Sequence, residues 1–262
     1  MGQVRKLDVK HGRLIYYGQA ASAAFWDNYW QPHTVAPLPP EADTVFCPIL
    51  PKYVSSGGTI LEAGCGPCGI VRALDAIGYR TIGLDFAQNT LRQNHLLYPD
   101  MSLVVGDVWT LPFRDEVFDA CISGGVIEHF WSGYSGIISE MARVLKKGGY
   151  VFLTFPNMSP LRRIKAVLGC YEEDNEGGDV QSFYQYVFDA RNVRRDMENF
   201  GFELLEERRL DGIKGWKDEI VFGRAWMQGV YDGAIRCHYR NILDRMLRKV
   251  AGHLVMLVLR KV

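Results

Sequence analysis

What most constrains this chain is the way short apolar runs alternate with stretches of helical period through its middle. Residues 59–63 are largely apolar, end at a glycine turn and read as a buried strand. Ile70, Val71, Leu74 and Ile77 follow at helical spacing, and Gly78 closes that helix. The pair then repeats. Residues 81–85 predict a second strand, 91–97 a helix, 102–106 a third strand, 118–123 a fourth and 149–155 a fifth. Between the last two, Ile137, Ile138, Met141, Val144 and Leu145 share one helical face, stopped by Gly148 and Gly149. Asp189 predicts the cap of a further helix with Val193, Met197 and Phe200 inward and Gly201 as its stop. Residues 202–210 alternate as a sixth strand, and 253–259 predict a final buried strand. Strands alternating with amphipathic helices call for a parallel sheet covered on both faces, an α/β fold. Ligands of such sheets bind where the carboxyl ends of the strands meet the loops. Glu62, Asp85, Asp107 and Ser123 all fall at such ends.

On this reading the 262 residues divide into an N-terminal helical cap, 1–50, and an α/β domain, 51–262, with inserted lids near 157–187 and 211–250. The formal net charge is zero, which argues against a nucleic-acid partner held by bulk attraction. The first residues lack the apolar run of a secretory signal, and no stretch reaches ~18 apolar residues, so no transmembrane span is expected. Cysteines at 47, 65, 68, 121, 170 and 237 form no regular framework. Cys65 and Cys68 have the C-x-x-C spacing, but no second pair completes a zinc site, and reduced loop residues of a cytoplasmic protein are expected.

The first glycine turn, Gly64-x-Gly66-x-x-Gly69, has the spacing of a dinucleotide-binding loop, and Asp85 lies 21 residues after Gly64. That spacing leaves a nicotinamide dinucleotide open as the ligand. Charge weighs against it, because Glu62 would repel a pyrophosphate in a poorly screened site. S-adenosylmethionine carries no phosphate and has a cationic sulfonium and an ammonium. Glu62 becomes an asset to such a ligand, and the amides around Gly64, Cys65 and Gly66 would face it.

At this point the chain resembles the class I S-adenosylmethionine-dependent methyltransferases, in particular the small-molecule branch labelled methyltransferase type 11. The resemblance spans roughly residues 55–210 and rests on LEAGCG, GLDFA, VVGDV, FDACISGGVIEHF and MARVLKKGGYVFLTFPN in that order. It implies a Rossmann-like, doubly wound, seven-stranded sheet with the last strand antiparallel. Asp85 would hold both ribose hydroxyls, Phe86 would flank the adenine, Asp107 would accept from its amino group, and the Val108 amide would face the ring. One departure stands out: the family pattern G-x-G-x-G would place glycine at 68, where this chain has Cys68.

Methyl transfer is an in-line displacement that asks the protein chiefly to align the nucleophile and exclude water. An oxygen or nitrogen nucleophile can also need a base, and His129, just past the fourth strand, is the candidate. Glu128 reads as a partner of local backbone. Some quinone-pathway relatives carry E-x-x-E-H there and bind a divalent metal. Here the first position is Gly125, which breaks the carboxylate pair, so no metal is expected and Gly125 is assigned to the substrate side.

The stretch from Tyr16 to Trp30 is dense in aromatics, most of them expected to pack along a helix. By resemblance, Tyr16, Tyr17 and Trp26 are the candidate cofactor contacts of the cap. Tyr184 and Tyr186 are the candidates for lining the substrate side. Basic stretches at Arg162, Arg163 and Lys165, and at Arg236, Arg240, Arg245, Arg248 and Lys249, suit a solvated face, an anionic substrate, RNA or a membrane surface. The expected acceptor is a small molecule, lipid- or sugar-linked, methylated on O, N or C with S-adenosylhomocysteine as product. The rivals are an NAD(P)-dependent oxidoreductase and a regulatory or scaffold protein that binds S-adenosylmethionine without transferring its methyl group.

Overall fold

The computed structural model describes residues 4–34, 45–174, 178–233 and 239–262, with residues 31–34 described by their backbone alone. The chain opens with β1 (Val4–Asp8), β2 (Arg13–Tyr17) and α1 (Ala23–Thr34). The α/β unit then runs β3 (Thr59–Ala63), α2 (Gly69–Ala76), β4 (Arg80–Asp85), α3 (Gln88–Leu97), β5 (Ser102–Val105), β6 (Phe118–Gly124), α4 (Ser135–Val144) and β7 (Leu145–Pro156). Beyond it lie α5 (Pro160–Val167), β8 (Glu172–Glu173), β9 (Phe183–Val187), α6 (Ala190–Asn199) and β10 (Phe202–Leu210). Helices α7 (Gly212–Glu219), α8 (Arg224–Tyr231) and α9 (Arg240–Ala251) follow, and β11 (Leu254–Lys261) closes the sheet.

The main sheet has seven strands in the order β10-β11-β7-β6-β3-β4-β5. Every neighbour pair is parallel except those made by β11, which runs against both β7 and β10. The chain steps outward from β3 to β5 and returns beside β3 as β6, so the switch in strand order falls between β3 and β6. A crevice at their carboxyl ends is the expected ligand position. Both faces are covered because successive side chains of a strand point to opposite sides. Ile60 joins a core with Leu74 and Phe152, while its neighbour Leu61 joins another with Ile137 and Met141.

Two expectations change. Leu145 belongs to β7 and not to the helix before it: α4 stops at Val144, and Leu145 pairs with Phe118 of β6. The register then shifts, so that Ala120 pairs with Tyr150, and the extra residues pass through Gly148 at φ 74°. The glycines thus mark a bulge within a strand, where the helical periodicity suggested a stop. The N-terminal segment is also not wholly helical. β1 and β2 form an antiparallel hairpin that gathers β8 and β9 into a second sheet, ordered β8-β1-β2-β9. β-branched and aromatic side chains such as Ile15, Tyr16 and Tyr17 fill this sheet. Part of the expected cap, residues 35–44, lies outside the described residues, as does Arg236. Among the described residues, no helix is long and apolar enough to cross a membrane.

Candidate functional site

The crevice is built first by the turn after β3. Gly64 has φ 89°, and a Cβ there would collide with Val126. Gly66 has φ 45°, and a Cβ there would stand 3.1 Å from the Trp30 indole. Both positions therefore require the absence of a side chain. Cys68, where the family pattern has glycine, is itself left-handed at φ 59° and forms the N-cap of α2. The turn keeps its shape and the cysteine carries the strain, ordinarily about 1–2 kcal/mol for an L-residue. Its buried side chain packs with Cys65, the two sulfurs 3.8 Å apart, so both thiols face the core.

Two carboxylates organise this turn. Glu62, buried at the end of β3, accepts the amide hydrogen of Val71 at 3.1 Å, within the first turn of α2. A helix N-terminus is an anion site, and here the chain's own carboxylate occupies it. Asp85, buried at the end of β4, accepts from the Gly66 amide and from the Ala87 amide, each at 2.8 Å. Burial raises its pKa against the lowering by those two amides. Asp85 thus couples the first glycine turn to the second strand end and still faces the cleft.

Helix α1 covers the cleft. Trp26 and Trp30, four residues apart, stack with ring centroids 5.7 Å apart. Asp27 fastens the helix by accepting from the Thr90 amide, the Thr90 hydroxyl and the Asn89 side chain at the start of α3. The cleft lies under Trp26 and Trp30 and is walled by Gly64, Gly66, Asp85, Phe86, Val108, Gly125, Val126, His129 and Phe130, with a volume of about 80 Å³. Its walls carry one carboxylate, one imidazole and no Lys or Arg among the described residues.

His129 sits on a 3-10 turn after β6 (Ile127–His129), with the Trp26 ring 4.9 Å away edge-on. Its Nδ1 lies 2.8 Å from the Tyr184 carbonyl oxygen. A carbonyl can only accept, so Nδ1 carries the proton and Nε2 holds a free lone pair. Burial lowers the His129 pKa to about 4, keeping the ring neutral near pH 7. Behind it, the Glu128 carboxyl is buried, its Oε2 has no hydrogen-bond partner among the described residues, and burial raises its pKa to about 8. Its Oε1 lies 3.5 Å from where a Cβ on Gly125 would stand.

The structure brings together Gly64, Gly66, Asp85, Phe86, Val108, Gly125, His129 and Trp26 in one cleft. Other candidates lie elsewhere. Asp107 is exposed and accepts from the Trp109 amide at 3.0 Å. Cys65 points into the core beneath Gly83, and the buried Ser123 hydroxyl is outside the walls. Tyr17 is committed to Asp174, at 3.0 Å, within the second sheet. It lies on a strand, so Tyr16 and Tyr17 point to opposite faces and neither lines the cleft. Tyr184 touches the site through its carbonyl and its ring, 5.1 Å from His129. Tyr186 is buried under the Arg13 guanidinium and donates to the Trp131 carbonyl, away from the cleft. Sequence reasoning missed Trp30, Val126 and Phe130 as wall residues. The four-residue spacing from Trp26 was the signal for Trp30.

Residues 61–153 match the family model described as a methyltransferase domain. A phthiotriol/phenolphthiotriol dimycocerosates methyltransferase of Mycobacterium ulcerans is 29% identical over 171 residues, 63% of this chain and 60% of that protein. A demethylmenaquinone methyltransferase of Staphylococcus epidermidis is 32% identical over 124 residues, 45% of this chain and 51% of that protein. The chain spans about half the length of the curated relatives it matches. Among solved structures, an S-adenosylmethionine-dependent methyltransferase of Methanosarcina mazei shares the fold at a TM-score of 0.56 and 18% identity, covering 82% of this chain and 97% of the other.

Proposed function

We propose that this chain, which belongs to the class I S-adenosylmethionine-dependent methyltransferase family, moves a methyl group to an apolar, lipid-linked small molecule. The charge of the crevice carries the reading. A diphosphate arriving there would meet Glu62 already seated at the α2 N-terminus and Asp85 facing the cleft, with no Lys or Arg in the walls. A cationic donor meets Asp85 as a partner and the Glu62 charge beneath the turn as a favourable field. The group fits the residues present: Asp85 is available to ribose hydroxyls, Phe86 flanks a ring, and Val108 closes the far side.

S-adenosylmethionine, when bound, supplies an electrophilic methyl on a positively charged sulfur. The chain's part is to hold the acceptor in line and keep water out, which suits walls made of Trp26, Trp30, Val126 and Phe130. The Nε2 of His129 receives the acceptor's proton while Nδ1 stays bonded to the Tyr184 carbonyl. Apolar walls beside the base favour a lipid-like acceptor, as do relatives named for dimycocerosate and menaquinone substrates.

Calorimetry with S-adenosylhomocysteine and NADH tests donor choice. Binding of the thioether without NADH is expected; NADH binding with no response to the thioether rejects the reading. Label transfer from the methyl donor to a panel of lipid alcohols and quinols tests the acceptor class, and absence of transfer to all of them favours a non-catalytic binder.

A further inference from the structure

Helices α5, α7, α8 and α9 pack on one another, and α9 packs on β10 at that end of the sheet. The roots of this layer lie at the carboxyl end of β7, where the Asn157 amide donates to the His253 carbonyl at 2.9 Å, so the layer rises from the edge at which the cleft opens. Ten of the 21 large apolar side chains exposed on the described surface belong to this layer or its connections, a concentration beyond scattered surface residues. Phe222, between α7 and α8, is 92% exposed, and Val167, at the end of α5, is 87% exposed. Lys165 of α5 donates to the Glu219 carbonyl at 2.9 Å, which ties the α5 end to the start of the segment carrying Phe222.

Backbone contact determines which face of α9 looks outward. Gly212 and Gly215 of α7 press against its chain, and a Cβ on either would collide with the carbonyl of Asp244 or Ala251. The acid of α9, Asp244, is turned inward, where it accepts from the Ile213 amide at 3.0 Å and from Arg248 at 2.6 Å. The outward face is left with Arg245 and Lys249 beside the exposed Ile242 and Met246, and the groove that Arg245 and Lys249 line toward β10 is net basic, Arg208, Arg209 and Arg248 outnumbering Glu207 and Asp211. Arg245 and Lys249 make no ion pair among the described residues. Basic side chains flanking exposed aliphatic ones suit an anionic lipid surface, where the stems and apolar groups enter the interface and the charges meet phosphates.

We propose that this face docks the protein on an anionic membrane surface, with Phe222, Val167, Ile242 and Met246 entering the interface and Arg245 and Lys249 facing lipid phosphates. Docking brings the carboxyl edge of the sheet against the bilayer, where a lipid-linked acceptor resides; that purpose rests on the function proposed above, whereas docking itself does not.

The test is co-sedimentation of the full chain with vesicles of phosphatidylcholine alone and of equimolar phosphatidylcholine and phosphatidylglycerol. Binding to the anionic vesicles only, weakened by added salt, is expected. Replacing Arg245 and Lys249 together by Gln should lower partitioning about 25-fold, taking about fivefold per basic residue. Phe222→Asp should also release the protein, while both variants keep the parent's thermal unfolding and S-adenosylhomocysteine binding. Failure to sediment with anionic vesicles overturns the proposal, as does sedimentation unchanged in the variants. So does a solution dimer that Phe222→Asp dissociates without vesicle binding, which makes the face a self-interface. Retention on RNA homopolymer, lost in the Gln variant and with no vesicle binding, assigns the charges to nucleic acid and equally overturns it. Vesicle binding needs no methyl donor, so this outcome and that of donor calorimetry are read separately.

Discussion

Glu62 reaches from the end of β3 to the Val71 amide of α2 and accepts its hydrogen at 3.1 Å, so one buried carboxylate caps the helix that starts beside the crevice and puts a charge beneath its glycine turn. The two roles separate in Glu62→Gln, which keeps an oxygen acceptor and loses the charge. Thermal unfolding should show a loss of about 1 kcal/mol or less from the weakened helix-dipole interaction. S-adenosylhomocysteine should bind several-fold more weakly by calorimetry. A variant that loses stability and retains full affinity would make Glu62 a cap alone.

Asp85 is held by two backbone amides, which orient it before any ligand arrives. Asp85→Ala removes the acceptor of both amides and, on the function proposed above, the ribose partner. Affinity for S-adenosylhomocysteine should fall by roughly 1–3 kcal/mol, the range for lost hydrogen bonds to a charged group. Unchanged affinity in a folded variant removes Asp85 from the site.

His129 is kept neutral by burial, with its pKa lowered to about 4. A base works in its unprotonated form, so the acid limb of kcat/KM against pH should fall near 4, where an ordinary imidazole would begin to fail near 6.5. His129→Ala should lower kcat by roughly 10²–10⁴ while leaving S-adenosylhomocysteine affinity intact. A variant with full turnover excludes it as the base.

Cys68 inverts the usual ranking of alanine over glycine. Its φ of 59° penalises any Cβ, and its side chain is fully buried. Cys68→Ala loses the sulfur's packing and keeps the strain, whereas Cys68→Gly loses the packing and sheds the strain. The glycine variant should be more stable than the alanine variant by about 1–2 kcal/mol in denaturant unfolding. The reverse order would mean that the turn relaxes out of the left-handed region in solution.

The parallel strands were legible because they are buried on both faces and read as continuous apolar runs between glycine turns, as in residues 59–63 and 118–123. Strand β11 was legible for the same reason. The second sheet was not, because β2 pairs with β9 across more than 160 residues, and no local period announces such a partner. Leu145 is ambiguous in sequence because its apolar character fits a helix face and a strand equally well, and the bulge opposite Phe118 decides between them. In the site, Asp85 and Gly66 could be read from position in the strand–turn unit. Asp107 could not be settled that way, since the direction in which it leaves β5 depends on the turn to Trp109. Tyr17 stands in an aromatic run whose first part is a strand, and aromatic density alone does not tell the two parts apart.

Glu128 offers a way to read the buried carboxyl beside the cleft through stability alone. Burial raises its pKa to about 8, so between the ordinary glutamate value near 4.5 and 8 the folded chain holds a proton that the unfolded chain has released. Stability contributed by that proton is fully present below the unfolded value and is lost as pH rises through the window, at up to ~1.4 kcal/mol per unit. His129 slopes the other way, because its lowered pKa means that the unfolded chain binds the proton first as pH falls below 6.5. Glu128→Gln preserves the shape of the neutral carboxyl and removes only its titration. Taking the difference between variant and parent cancels the groups that both retain, provided His129 does not couple strongly to the change. The variant should match the parent near pH 5 and exceed it increasingly toward pH 8 in urea midpoints. Parallel midpoints across that range would mean that Glu128 is already ionised in the folded protein, with water or a backbone donor reaching its second oxygen.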